Sequence, residues 1–249
     1  MKTGHSLFGA YSQHEFMLRD DTRVLKFQNR LFRCELVARY DTPALRTLLL
    51  NLDREIQQGS FTELKHDGTT TVGFTSRDGR KLLIKRYNTK NTWHAIRRLV
   101  RRSRAENCFE KARLLRKSGI NTPAPIAMVE QRLGSLRGRS WFISEFVEGP
   151  SCLDFIHNDA SPTEARNVAS HLEWSFRKLS KLKISHGDMK ATNIILRNNR
   201  APWLIDLDGM RQHKSDATFE IARKKDRARF LQNWQSDARI SGWFERITW

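Results

Sequence analysis

The chain has 249 residues, of which 39% are apolar and 29% charged, a balance that allows a substantial core and excludes a disordered chain. Its 45 Lys and Arg against 27 Asp and Glu give a formal charge of +18, a field that draws polyanions such as nucleic acid, anionic lipid and acidic or phosphorylated sugars. No apolar run approaches the roughly 18 residues of a spanning helix, and the first ten residues lack the apolar stretch of a secretory signal.

No internal repeat or low-complexity linker divides the sequence. Residues 24–27 and 31–37 read as strands. Residues 43–58 read as one helix, with Leu45, Leu48, Leu49 and Leu52 on a single stripe and Gly59 as its stop. Residues 69–75 and 81–87 form a hairpin about the Asp78-Gly79 turn. A basic helix is expected from Trp93 to about Ser118, ended by Gly119. Residues 121–125 are extended, residues 140–147 form a strand, and Glu148-Gly149-Pro150 ends it. Ser161, Pro162 and Glu164 then start a helix through a capping box with proline at the first position. Its apolar stripe is Val168, Leu172, Phe176 and Leu179. Residues 194–196 and 203–205 make a second hairpin about Asn198-Asn199. The three cysteines, Cys34, Cys108 and Cys152, contain no CxxC pair, which disfavours a zinc site or disulfide framework and fits a reducing cytoplasm.

One constellation carries chemistry. Asp188 and Asn193 lie five residues apart in His186-Gly187-Asp188-Met189-Lys190-Ala191-Thr192-Asn193. Asp206 follows at the end of an apolar strand, and Lys85 sits far upstream on a hairpin strand. Phosphoryl transfer from ATP needs a carboxylate to take the proton of the attacking hydroxyl. It also needs hard oxygen ligands for Mg²⁺ and a cation on the phosphates. His186 reads as a structural residue of the loop.

At these residues the sequence resembles the protein-kinase-like superfamily, in the small-molecule form where glycine (here Gly187) replaces the arginine of protein kinases. The resemblance implies an α+β, bilobal fold with a β-rich N-lobe and a reduced helical C-lobe. Residues 1–147 would form the first lobe, with the ATP-binding part at about 61–147 and residues 1–60 poorly defined. Residues 148–249 would form the catalytic lobe. It further implies Asp188 as general base and Lys190 steadying the transferring group. Asn193 and Asp206 would hold Mg²⁺, Lys85 would meet the phosphates, and the hinge at Glu145 and Val147 would meet adenine. Either Glu106 or Glu110 would pair with Lys85. Two features depart from that pattern. The loop before the hairpin holds one glycine, Gly68, followed by three threonines. Asp208 stands where a glycine is usual, which disfavours a mobile activation switch.

The acceptor is narrowed by size and charge. Residues 207–249 are too few for the peptide-docking lobe of protein kinases. A +18 chain is poorly matched to the polycationic substrates of aminoglycoside kinases. Arg97, Arg98, Arg101, Arg102 and Arg104 cluster near Trp93. Arg223, Lys224, Lys225, Arg227 and Arg229 cluster near Phe230, Leu231 and Trp234, and both groups suit an anionic membrane surface or glycolipid. Over residues 81–210 the sequence is most similar to bacterial lipopolysaccharide core kinases. That implies a cytoplasmic enzyme, peripheral on the inner membrane, that uses ATP and Mg²⁺ to phosphorylate a heptose or Kdo hydroxyl of the core glycolipid. The alternatives are a kinase for another small molecule or protein, or a basic pseudokinase or nucleic-acid-binding protein. The complete Lys85, Asp188, Asn193 and Asp206 set argues against a pseudokinase, and no nucleic-acid recognition motif is present.

Overall fold

The computed structural model describes residues 23–88, 102–133, 136–158, 160–197, 201–235 and 238–249. Trp93, Arg97, Arg98, Arg101 and the Asn198-Asn199 turn lie outside them. The architecture is mixed α and β, as the sequence suggests.

A seven-stranded antiparallel sheet fills the amino-terminal half. Its strands are β1 (Val24–Gln28), β2 (Phe32–Val37), β3 (Thr62–Asp67), β4 (Thr70–Arg77), β5 (Arg80–Tyr87), β6 (Pro125–Leu133) and β7 (Leu136–Glu145), in the order β1-β2-β6-β7-β5-β4-β3. Strand alternation places Leu82 and Ile84 of β5 in the core and turns Lys85 to the opposite face. Lys85 pairs with Val72 on one side and Phe142 on the other, so it stands mid-sheet. Asp78 and Gly79 both have positive φ, +51° and +70°, as a two-residue hairpin turn requires.

The single helix expected over 43–58 is two. Asn51, at φ −124° and ψ 26°, separates α1 (Pro43–Leu50) from α2 (Leu52–Gln58). The leucine stripe runs through both, so pattern alone does not show the break. The basic helix begins, among the described residues, at Arg104, where Ser103 accepts a hydrogen bond from the Glu106 N–H. This α3 (Arg104–Lys117) buries Ala105, Cys108, Phe109, Ala112 and Leu115, and Gly119 follows its end at φ +74°.

The carboxy-terminal half holds α4 (Cys152–Asn158), α5 (Pro162–Lys181), α6 (Asp216–Leu231) and α7 (Ala238–Phe244). The Ser161–Glu164 capping box on α5 forms as the sequence predicts. An aromatic core binds these helices together. Phe176 stacks on Trp249 at 3.9 Å between centroids, Trp234 stacks on Phe244 at 4.6 Å, and Phe230 meets all four rings edge-on. Two short ribbons carry the chemistry-bearing loops: β8 (Ile184–Ser185) with β11 (Arg211–Gln212), and β9 (Ile194–Leu196) with β10 (Pro202–Leu204). Cys34, Cys108 and Cys152 are free and buried.

Candidate active site

The loop after β8 is fixed from three sides. Gly187 adopts φ +85°, and a Cβ there would lie 2.5 Å from the Gly209 carbonyl oxygen. Glycine is therefore a steric requirement at this position, because it lets the 186–193 loop touch the turn that follows Asp206. From α6, Asp226 accepts hydrogen bonds from the backbone N–H of His186 at 2.6 Å and of Gly187 at 2.9 Å. His186 is fully buried, and its Nε2 donates to the Ile205 carbonyl at 3.0 Å. Burial lowers its pKa, so the ring is a neutral spacer between two strands rather than an acid.

Asp188 projects from this loop with its side chain about half-buried. Lys190 Nζ lies 2.6 Å from Oδ2 and Arg229 Nε 3.5 Å from Oδ1. Partial burial would raise the carboxyl pKa, but these cations outweigh it and hold the value below the ordinary 3.8. Asn193 donates from Nδ2 to the Asp188 carbonyl at 2.9 Å, which turns its amide oxygen away from the loop. The Ile205 N–H donates to the Asn193 carbonyl, so the β9–β10 ribbon delivers Asp206 beside Asn193. Asp206 is left-handed, at φ 59° and ψ 57°, a costly conformation for a residue with a Cβ. It meets Lys85 Nζ at 2.5 Å. Lys85 also contacts Asp208 Oδ1 at 3.0 Å. Burial would lower the pKa of Lys85, yet Asp208 and Asp206 together raise it, so the amine stays charged.

The sequence signature of the Lipopolysaccharide kinase (Kdo/WaaP) family matches residues 54–241. The chain belongs to this family. Membership carries phosphotransferase chemistry, ATP use and a lipopolysaccharide-related substrate. Among curated proteins, none matches the chain. No helix of the described residues is long and apolar enough to cross a membrane.

The donor set suits the divalent metal that kinase families commonly use. Mg²⁺ keeps several waters and takes phosphate oxygens, so one or two protein oxygens suffice. Asn193 and Asp206, brought near each other by the Ile205 N–H bond to the Asn193 carbonyl, would be such a pair. The described residues contain no cluster of three or more His, Cys, Asp or Glu that could hold a metal without those partners.

Within this kinase, the partner of Lys85 differs from expectation. Glu106 is 8% exposed and meets Arg33 of β2 at 3.2 Å, while Glu110 faces Arg102 and Arg113 at about 4 Å. Neither reaches Lys85, because β2 supplies a cation that takes Glu106 first. Asp208 fills that place. It accepts from Lys85, from Tyr87 Oη at 2.6 Å, from Cys108 Sγ at 2.9 Å and from Arg104 at 2.6 Å, joining β5, α3 and the turn after β10. Burial alone would raise its pKa, but Lys85 and the other donors bring it below the ordinary value.

At the hinge, the Glu145 N–H donates to Ala124 O, and its Oε1 accepts from Tyr40 Oη at 2.8 Å. Val147 follows, half-buried, past the strand end. In the β3–β4 turn, Asp67 Oδ1 accepts the N–H groups of Thr69 and Thr70 and the Thr69 hydroxyl, which brings its pKa down to about 2. The turn's backbone donors are thus held by the chain's own carboxylate.

Asp226, Arg229 and Arg33 were not singled out for these roles by sequence. One signal pointed to Asp226. It is the lone acid in Arg223-Lys224-Lys225-Asp226-Arg227, and it falls on the stripe of Phe219 and Phe230 at helical spacing.

Proposed function

We propose that this protein transfers the γ-phosphoryl group of ATP to a sugar hydroxyl of the lipopolysaccharide inner core, on a heptose or Kdo residue, with Asp188 as general base. The observation that carries this reading is the ionised, half-exposed Asp188 carboxylate beside an open cavity, backed by the loop's anchors. A carboxylate oxygen takes the acceptor's proton as the acceptor oxygen bonds to phosphorus and the bond from phosphorus to the ADP oxygen breaks. Lys190, paired with Asp188 in the resting site, steadies the charge on the transferring group. Lys85 holds the α- and β-phosphates, and the backbone at Glu145 and Val147 holds adenine. Asn193 and Asp206 would hold Mg²⁺, which would neutralise phosphate charge. The two lobes, 1–147 and 148–249, would close on ATP between them. The +18 charge and the absence of a spanning helix among the described residues support a cytoplasmic protein lying on the anionic face of the inner membrane.

The test is transfer from ATP labelled at its γ-phosphate to purified dephosphorylated core lipid, in the presence of Mg²⁺. Wild type should label the core sugar. Asp188→Asn should lower kcat by about 1,000-fold, the scale of a lost general base. Equal turnover by the variant would remove Asp188 from the chemistry.

A further inference from the structure

The cavity beside Asp188 has a volume of about 510 Å³. One wall is α6, on which Thr218, Ala222, Lys225 and Arg229 recur at intervals of three and four and therefore share a face. The cavity is also lined by Arg211 of β11. The placement of Lys225 is set by its neighbour. Asp226 is buried and clamps the His186 and Gly187 N–H groups, so the helix bearing Lys225 is registered against the loop bearing the base.

The charges in this cavity are unbalanced. Asp188 is already met by Lys190 and Arg229, and both Asp226 oxygens are taken by backbone donors. Lys225 and Arg211 are exposed, and no acidic partner for either side chain is found among the described residues. Two cations lining one concavity beside a third, with the two acids of that cavity already paired, repel one another until an anion enters. A neutral sugar would leave them unpaired. A carboxylate or phosphate would satisfy both, and the guanidinium of Arg211 matches either group with two parallel hydrogen bonds.

We propose that Lys225 and Arg211 bind an anionic group of the acceptor and thereby select an acidic acceptor over a neutral one. That group is either a carboxylate on the acceptor sugar or a phosphate ester near it. This rests on the sugar-kinase reading above and specifies its acceptor. The site holds the anion to one side of Asp188, so the carboxylate base keeps its cations and the reactive hydroxyl is presented to it.

The experiment uses the full chain and three acceptors: a core lipid that carries both Kdo and heptose on lipid A, its carboxyl-reduced form and its dephosphorylated form. Wild type should show a KM about 10-fold higher for one of the two neutralised acceptors, the scale of one charge-assisted hydrogen bond, and the arm that suffers identifies the group. Lys225→Gln and Arg211→Gln should raise KM for the native acceptor by a similar factor, leave KM for ATP as it was, and lose the discrimination. Equal KM values for all three acceptors with wild type, or full discrimination kept by both variants, would overturn the proposal while leaving the kinase reading intact. No transfer to the native acceptor by wild type would overturn both.

Discussion

Two aspartates, Asp208 partly buried and Asp226 buried, hold this active site together by different means. Asp208 meets two full cations, Lys85 and Arg104, with a phenol and a thiol completing its shell. Among the described residues, Asp226 meets two backbone N–H groups and no Lys or Arg. Burial pushes both carboxyl groups up. In Asp208 the cations win and its pKa falls, whereas in Asp226 the N–H dipoles offset burial only in part and its pKa rises. Charges on mobile side chains tie together elements distant in sequence, here β5, α3 and the turn after β10. Backbone donors fix the shape of one loop. The first aspartate is an assembly point for the lysine, and the second is the mould of the catalytic loop.

Removing the mould should have the larger effect. Asp226→Ala leaves two backbone donors without an acceptor, each costing about 1–3 kcal/mol, so roughly 3 kcal/mol of stability is lost. Displacement of Asp188 by even an ångström should reduce kcat about 100-fold. Thermal denaturation and steady-state kinetics measure both. A variant with normal kcat would mean that Gly187 and His186 hold the loop unaided.

Removing the charge at the assembly point should cost less. Asp208→Asn keeps the size and one acceptor oxygen, and Lys85 retains Asp206. The expected loss is about 1–2 kcal/mol of stability, with a several-fold rise in KM for ATP and a smaller change in kcat. The split matters, because a purely structural Asp208 would lower stability without moving KM for ATP.

The same division explains what the sequence revealed. That Lys85, Asp188, Asn193 and Asp206 come together was legible because the residue types and spacings that phosphoryl transfer would demand are present in the chain. The capped start of α5 was legible because its signals are local. Strand β3 was not, since every residue from Thr62 to Asp67 is exposed at the sheet edge and leaves no apolar pattern. Nor was β6 beyond Pro125, whose Ile126-Ala127-Met128-Val129 run is buried and shows no alternation. The partner of Lys85 depended on Arg33, 52 residues earlier in the chain, occupying Glu106. Such competition between distant side chains is a property of the folded arrangement, and spacing along the chain carries no trace of it. Gly187 shows the intermediate case. Its identity was readable, while its reason, the close approach of Gly209, required the structure.

The smallest expected effect is the sharpest test of the comparison, because the two aspartates should titrate with opposite sign. The folded pKa of Asp208 is below the ordinary 3.8, so its charge stabilises the protein above that pH and the contribution disappears as pH falls through the folded value. The folded pKa of Asp226 is above 3.8, so its ionisation costs stability, and that cost is relieved as pH falls through the raised value. Asp208→Asn and Asp226→Asn each remove one titration. Measured against Asp226→Asn, wild type should gain stability on acidification while the pH is still above 3.8. Measured against Asp208→Asn, wild type should hold a constant advantage down to about 3.8 and lose it below. Chemical denaturation across a pH series reads both differences. If both shifted in the same direction, cations and backbone dipoles would be acting alike on the two carboxylates, and the distinction between assembly point and mould would fail.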